Sequence, residues 1–285
     1  MTRKMWIADG ILLLTAMIWG FAFAVVKNTL DSVPPLLLVT VRYVIAACIT
    51  MVVFRRHLTG LSAGDVKRGA LTGFMLAMAY SIQTQGMLYT TAGKNAFLTT
   101  LYVLLVPLGS FLLFRTPLRK RIFLAGILML LGIGLISLGS TDGGLNRGDV
   151  LTLICSIFYA GHILCIEHFQ KKTDVRALIV LQFAFCALTA FVLHCIFEQG
   201  AALRLSRDSI IGILYLSVFS STLGMSLQNI GQSMARSDHA VILLSLESVF
   251  GALGGCLLLG EQVTPTMGAG FAVVFVSLVL NELGG

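Results

Sequence analysis

The chain has 285 residues, of which 57% are hydrophobic and 12% charged, and its mean hydropathy is +0.92. A soluble domain carries about 25% charged residues, so this chain cannot coat a water-facing surface, and lipid is the solvent for most of it. The net charge of +7 sits in short clusters between apolar runs, which reads as membrane topology and excludes nucleic acid as the expected partner.

Crossing the hydrocarbon core takes about 20 apolar residues. In chain order ten spans are predicted: 6–26, 34–54, 69–89, 94–114, 121–140, 149–167, 175–196, 209–230, 238–259 and 265–282. The first is read as a retained helix although Ala22-Phe23-Ala24 resembles a leader-cleavage site, because its apolar run is too long for one. The connections carry breakers such as Pro34-Pro35, Thr116-Pro117, Asp142-Gly143-Gly144 and Thr264-Pro265, and none is long enough for a soluble domain. Function is therefore expected inside the bundle or at its mouths.

With a cytoplasmic N-terminus, the inside segments hold Arg3, Lys4, Arg55, Arg56, Lys67, Arg68, Arg115, Arg119, Lys120, Arg121, Lys171, Lys172, Arg176 and Arg236. The outside segments hold only Lys27, Lys94, Arg147, Arg204 and Arg207. This bias places both termini in the cytoplasm of a multi-pass inner (plasma) membrane protein.

The chain also repeats itself. Asp9 falls opposite Asp149 and Trp19 opposite Tyr159, at an offset of 140; Gln83 falls opposite Gln228, and Thr100-Leu101-Tyr102 opposite Ser245-Leu246-Glu247, at 145. Residues 1–144 and 145–285 are thus read as two five-helix repeats. An odd number of spans per repeat inverts the second, and inverted repeats around a midplane site are a transporter architecture.

Two charges fall near mid-membrane, Arg42 and Glu247. Such residues face the bundle interior and mark function or a partner. Arg42 suits a carboxylate or phosphate; Glu247 suits an amine or a coupling proton, since burial disfavours its charged form. A buried Arg42–Glu247 pair locking two helices is the alternative. Asn95, Thr99 and Tyr102 share one helical face, and Ser81, Thr84 and Gln85 recur as Ser226, Asn229 and Gln232 or Ser233. With Gln83, Gln228 and the matched aromatics Trp19 and Tyr159 they are candidates to line a central cavity, or else to bond helices together. The glycines 251, 254 and 255, and those of the fifth and tenth spans, read as helix packing or dimerisation faces. No metal is assigned: His162, His168, His194 and His239 are scattered, and the six cysteines, all within apolar runs, show neither a metal spacing nor a reason for disulfides. No cofactor is expected, and no P-loop or hydrolase motif appears.

Trp19-Gly20, the stretch Thr91-Ala92-Gly93-Lys94-Asn95-Ala96-Phe97-Leu98-Thr99-Thr100-Leu101-Tyr102 with Pro107, and Ser245-Leu246-Glu247-Ser248-Val249-Phe250 followed by Leu259-Gly260-Glu261 resemble the drug/metabolite transporter superfamily, EamA family. The resemblance spans both halves. It departs where the family often has Glu-Pro and this chain has Glu247-Ser248, and where the first half has Leu113-Phe114-Arg115 in place of the closing Leu-Gly-Glu. It implies a ten-helix pseudosymmetric carrier, since relatives export amino acids or their metabolites and some take up sugars or other metabolites. The expectation is a secondary transporter, monomer or homodimer, exporting an amino acid or related metabolite by alternating access. The alternatives are an uptake permease of the same fold, an integral-membrane enzyme acting on lipid-linked substrates, and a non-transporting sensor.

Overall fold

In the computed structural model, residues 3–117, 120–139, 145–201, 203–235, 240 and 243–282 are described. Their secondary structure is helical throughout. The helices are α1 (Arg3–Thr29), α2 (Pro35–Val53), α3 (Ala63–Met87), α4 (Ala92–Thr99), α5 (Tyr102–Phe114) and α6 (Lys120–Leu138). Next come α7 (Arg147–Phe169), α8 (Val175–Phe197), α9 (Arg207–Tyr215), a π-helical segment over Leu216–Gly224, α10 (Met225–Met234), α11 (Glu247–Leu259) and α12 (Pro265–Glu282). Arg119, Arg236, His239 and the 142–144 connection fall outside the described residues.

Six runs are long and apolar enough to cross a membrane: Met5–Thr29, Pro35–Val53, Ala92–Phe114, Arg147–Phe169, Val175–Phe197 and Arg207–Met234. Leu124–Ile136, Leu243–Leu259 and Pro265–Ser277 are shorter apolar helices. α3 has 25 residues but lacks comparable hydropathy, because Ser81, Gln83, Thr84 and Gln85 give it a polar face. The outward surface carries large apolar side chains such as Val52, Leu112, Leu130, Ile157, Phe197 and Leu257, as a lipid-solvated bundle requires. The protein is an all-α membrane protein.

Sequence chemistry sets the helix ends. Ser62 and Asp65 form a capping box on α3, and Asn146 and Asp149 another on α7; each satisfies backbone donors that a helix start leaves orphaned. Pro35 opens α2, where its missing N–H costs nothing. The fourth apolar run is not one rod: it breaks at Thr100-Leu101, between α4 and α5. The two left-handed helix ends, Arg115 (φ 55°) and Gly260 (φ 67°), lie 145 residues apart. They shift the match of the repeat by one: Phe114-Arg115-Thr116, rather than Leu113-Phe114-Arg115, stands opposite Leu259-Gly260-Glu261.

Inside, α3 packs along α7 and α8, α2 along α8, α1 along α11, and α6 along α12. Several of the glycines bring helices of this chain together: Gly132 of α6 and Gly139 just after it abut Val274 and Met267 of α12, and Gly251 abuts Ala96, whereas a β-carbon at Gly134 would meet nothing within 4 Å. All six cysteines are free thiols. At the centre Tyr80 stacks edge-on against both Tyr43 and Tyr159, each at 5.4 Å.

Candidate functional site

Gly20 allows the bundle to close on its centre. A β-carbon there would collide with Phe250 and the Glu247 carbonyl, so α1 rests on α11 with only hydrogen between them. Gly224 does the same for Trp19, whose indole Nε1 would lie 2.6 Å from an added β-carbon. The indole N–H instead donates to the Ser220 carbonyl at 3.0 Å. These contacts frame a cavity lined by Trp19, Ala22, Phe23 and Val26 of α1, Arg42 of α2, Tyr80, Gln83, Thr84 and Met87 of α3, and Tyr102, Tyr159, Ile163, Ser220, Gln228, Leu244 and Glu247. The room inside is small, about 40 Å3 for the centres of water-sized bodies, enough for a few waters. Among the described residues, neither α6 nor α12 contributes to the wall.

Arg42 is 1% exposed. Its Nε donates to Ser221 Oγ and its Nη2 to Ser220 Oγ, both at 3.1 Å, and its guanidinium lies 4.9 Å over the Tyr80 ring. The two serines reach it because the helix widens there into π geometry; Thr222 Oγ1 bonds back to the Ser217 carbonyl at 2.8 Å. Glu247 is 4% exposed and opens α11, where the helix N-terminus favours negative charge. Its Oε1 accepts from Tyr102 Oη at 3.1 Å. Among the described residues no ion pair joins Arg42 and Glu247. The locking pair considered from sequence does not form, because Arg42 is held by α2's neighbours in the π segment and Glu247 by α5.

Seven of the ten sequence candidates face this one cavity: Trp19, Arg42, Gln83, Tyr102, Tyr159, Gln228 and Glu247. The Gln83 amide joins two of its neighbours: Oε1 accepts from Tyr159 Oη at 2.8 Å and Nε2 donates to Thr99 Oγ1 at 2.9 Å. Gln228 Oε1 is buried without a partner. Three candidates stand elsewhere. Thr99 lies behind Gln83; Asn95 donates to Thr152 Oγ1 of α7 at 2.8 Å; Asn229 accepts from Gln182 at 3.1 Å. Of the polar faces, Thr84 reaches the cavity, whereas Gln85 turns to Glu198 at 3.3 Å.

Lys94, counted with the outside segments from sequence, lies in the first turn of α4. Its Nζ is 2.6 Å from Asp149 Oδ2, with both side chains fully buried. Asp149 also accepts from Thr90 Oγ1 and caps α7. A carboxylate 55 positions away makes its burial possible. Two further carboxylates were missed as structural agents. Glu261, turned by Gly260, accepts from the backbone N–H groups of Ala92 and Gly93 at 2.6 and 3.0 Å. Glu198 does the same for Leu36 and Leu37 at 2.8 and 3.0 Å. Each caps the start of a distant helix, α4 and α2. The Leu-Gly-Glu motif was the signal for the first; nothing local signalled the second.

A model of the EamA-like transporter family matches the chain twice, over residues 6–138 and 146–283. The chain is 32% identical to an uncharacterized transporter of Archaeoglobus fulgidus, covering 97% of this chain and 86% of that one. It is 26% identical to a probable amino-acid metabolite efflux pump of Salmonella typhimurium, covering 100% and 96%. A solved crystal structure superposes with a TM-score of 0.75 at 15% identity, over 97% of this chain and 96% of that one, a likeness of fold. The chain belongs to the EamA-like transporter family: it is a multi-pass membrane transporter and not an enzyme.

Proposed function

We propose that this transporter moves a small amino-acid-like metabolite out of the cell by alternating access, around the cavity that Arg42 and Glu247 share. The carrying observation is that these two buried, oppositely chargeable groups line one cavity without pairing with each other. A solute with a carboxylate and an ammonium complements both. Arg42 takes the carboxylate; Glu247 takes the ammonium or, between solutes, a proton. Trp19, Tyr102, Tyr159, Gln83 and Gln228 form the wall, with Thr99, Asn95 and Asn229 as supports behind it. The printed name of the Salmonella relative, a probable amino-acid metabolite efflux pump, supports the solute class.

The same reading gives ten spans in two inverted halves, 1–144 and 145–285, in the inner membrane with both termini cytoplasmic. α4 with α5, and α9 with the π segment and α10, each count as one span. The twofold match of the family model supports the halves. So does the Tyr102–Glu247 hydrogen bond, since these equivalent positions meet each other, as residues beside a pseudo-twofold axis do. Two halves facing opposite ways can exchange conformations at similar energy, which is the mechanical basis of alternating access.

The test is a thermal-shift screen of the full chain in detergent against amino acids, their amides and their decarboxylated amines. A ligand that binds only the folded state raises Tm. The expected result is a shift with an intact amino acid that is lost when its carboxylate is amidated, and lost in Arg42→Gln and Glu247→Gln. A hit insensitive to both substitutions overturns the assignment of the site. Hits confined to sugars overturn the solute class.

A further inference from the structure

A second polar cluster lines no part of the cavity, though its Asn229 stands behind the wall, next to Gln228. His162 Nε2 and Gln182 Oε1 are 2.8 Å apart, Gln182 Nε2 donates to Asn229 Oδ1 at 3.1 Å, and Asn229 Nδ2 donates to the Met225 carbonyl at 2.7 Å. All three side chains are fully buried. The direction of the chain fixes the imidazole. Because the Gln182 amide nitrogen is spent on Asn229, its oxygen must accept from His162 Nε2–H, so in the neutral ring Nδ1 is a bare acceptor. His162 Nδ1 has no partner, and in the same helix as Asn229 both polar atoms of Gln232, 1% exposed, have none. Buried polar atoms without partners are rare in folded proteins and call for a reason.

The repeat says where this cluster belongs. Arg42 stands seven residues after the start of α2 at Pro35, and Gln182 seven after the start of α8 at Val175. At the offsets of the repeat, Ala22 matches His162 and Thr84 matches Asn229; Ala22 and Thr84 line the cavity with Arg42. The cluster is thus the counterpart of the Arg42 site. It lies toward the other end of the bundle: Gln182 abuts α3 at Gly73, while the cavity meets α3 at Tyr80, Gln83, Thr84 and Met87. From Gly73 to Tyr80, the nearest of these, is about 10 Å along the helix.

We infer that His162, Gln182 and Asn229 form a second polar subsite, closed in this structure, that opens to the opposite side of the membrane when the halves exchange, and that there takes a hydrogen-bond donor such as the solute's ammonium on His162 Nδ1. The inference rests on the alternating access proposed above. It also makes the two sites chemically unlike. The Arg42 site holds an anionic oxygen by charge; its counterpart holds a donor without a fixed charge.

The test uses the full chain in sealed, oriented vesicles with its six cysteines replaced, and a membrane-impermeant sulfonated maleimide applied from either side. Three single-cysteine versions are compared: Ser220→Cys in the cavity, Asn229→Cys in the cluster, and Ala125→Cys, fully buried in α6. Ser220→Cys should react from one side and Asn229→Cys from the other, each at least about tenfold faster than Ala125→Cys. Ethylammonium should slow labelling of Asn229→Cys, and His162→Leu should remove that protection while leaving the labelling rate in place. Ser220→Cys reacting while Asn229→Cys matches Ala125→Cys, or both reacting from the same side, overturns the subsite and leaves the cavity standing. Protection by acetate but not ethylammonium overturns the donor assignment. No reaction at either position overturns the transport cavity itself. Gln182→Cys serves in place of Asn229→Cys if the latter does not fold.

Discussion

Lys94 and Arg42 are both buried cations, and their surroundings differ in one respect. Lys94 touches a carboxylate, Asp149, at 2.6 Å with both side chains fully buried. Arg42 rests on two serine hydroxyls and a tyrosine ring. The first charge is neutralised inside the protein and ties α4 to α7. The second is hydrogen-bonded but not neutralised, so it retains its attraction for an anion. On the function proposed above, the ion pair is a strut and the cation among neutral groups is the binding group.

The sharpest way to break this contrast is to remove Asp149. Asp149→Ala strands the Lys94 ammonium and also removes the α7 cap. Breaking a buried pair from one side costs about 3–5 kcal/mol, so loss of most folded protein in a detergent unfolding titration is expected. The double change Lys94→Met with Asp149→Asn should recover most of that loss, since no charge is left stranded. A double variant as unstable as Asp149→Ala would mean that the cap, not the pair, is the strut.

Glu261 extends the comparison to a carboxylate that holds backbone donors. Its two oxygens serve the first N–H groups of α4, and hydrogen bonds to a charged group contribute about 1.5–3 kcal/mol. Glu261→Ala should destabilise the chain by about 2 kcal/mol in the same titration, less than Asp149→Ala, with ligand response intact. Loss of ligand response at full stability would instead move Glu261 into the transport machinery.

Arg42→Gln is expected to cost less still, about 1 kcal/mol or under, because Ser220 and Ser221 can rebond locally. Yet it should abolish the ligand-induced rise in Tm. The contrast collapses if Arg42→Gln destabilises the chain as much as Asp149→Ala does, since Arg42 would then be a strut as well.

The spans, Arg42 and Glu247 were readable because hydropathy and a charge within an apolar run are local signals. The burial of Lys94 was not readable: its apolar surroundings end near it, and the partner that buries it lies on another helix. Ser220 and Ser221 carry no mark in sequence, because the π widening that aims them at Arg42 depends on packing against α2. Gln182 and His162 are neutral residues in apolar helices and look like helix glue. Only the 140-residue offset from Arg42 could have singled out Gln182. The Leu259-Gly260-Glu261 motif was visible, but its task was not, since Glu261 acts on backbone groups about 170 positions earlier in the chain.

The smallest expected effect belongs to a fourth charged group, at the water-facing start of α3. Asp65 accepts from the Ser62 backbone N–H and hydroxyl, from Thr173 Oγ1 and from Arg68 Nη2, at 2.9, 2.6, 2.7 and 2.9 Å. The Ser62 hydroxyl, then Thr173, then Arg68 hold its carboxyl well below the usual carboxylate range. Thr173 lies in the α7–α8 connection, so this carboxylate ties that connection to α3. A group whose folded pKa is depressed stabilises the fold above its unfolded pKa, about 3.9 for Asp. That contribution fades as pH falls through that value toward the lowered one. Asp65→Asn should therefore lower Tm at pH 7 by less than Glu261→Ala does, and the gap to wild type should begin to narrow below about pH 4. A gap for Asp65→Asn that stays constant from pH 7 to pH 3 would show that the carboxylate's shape, and not its charge, joins the two connections.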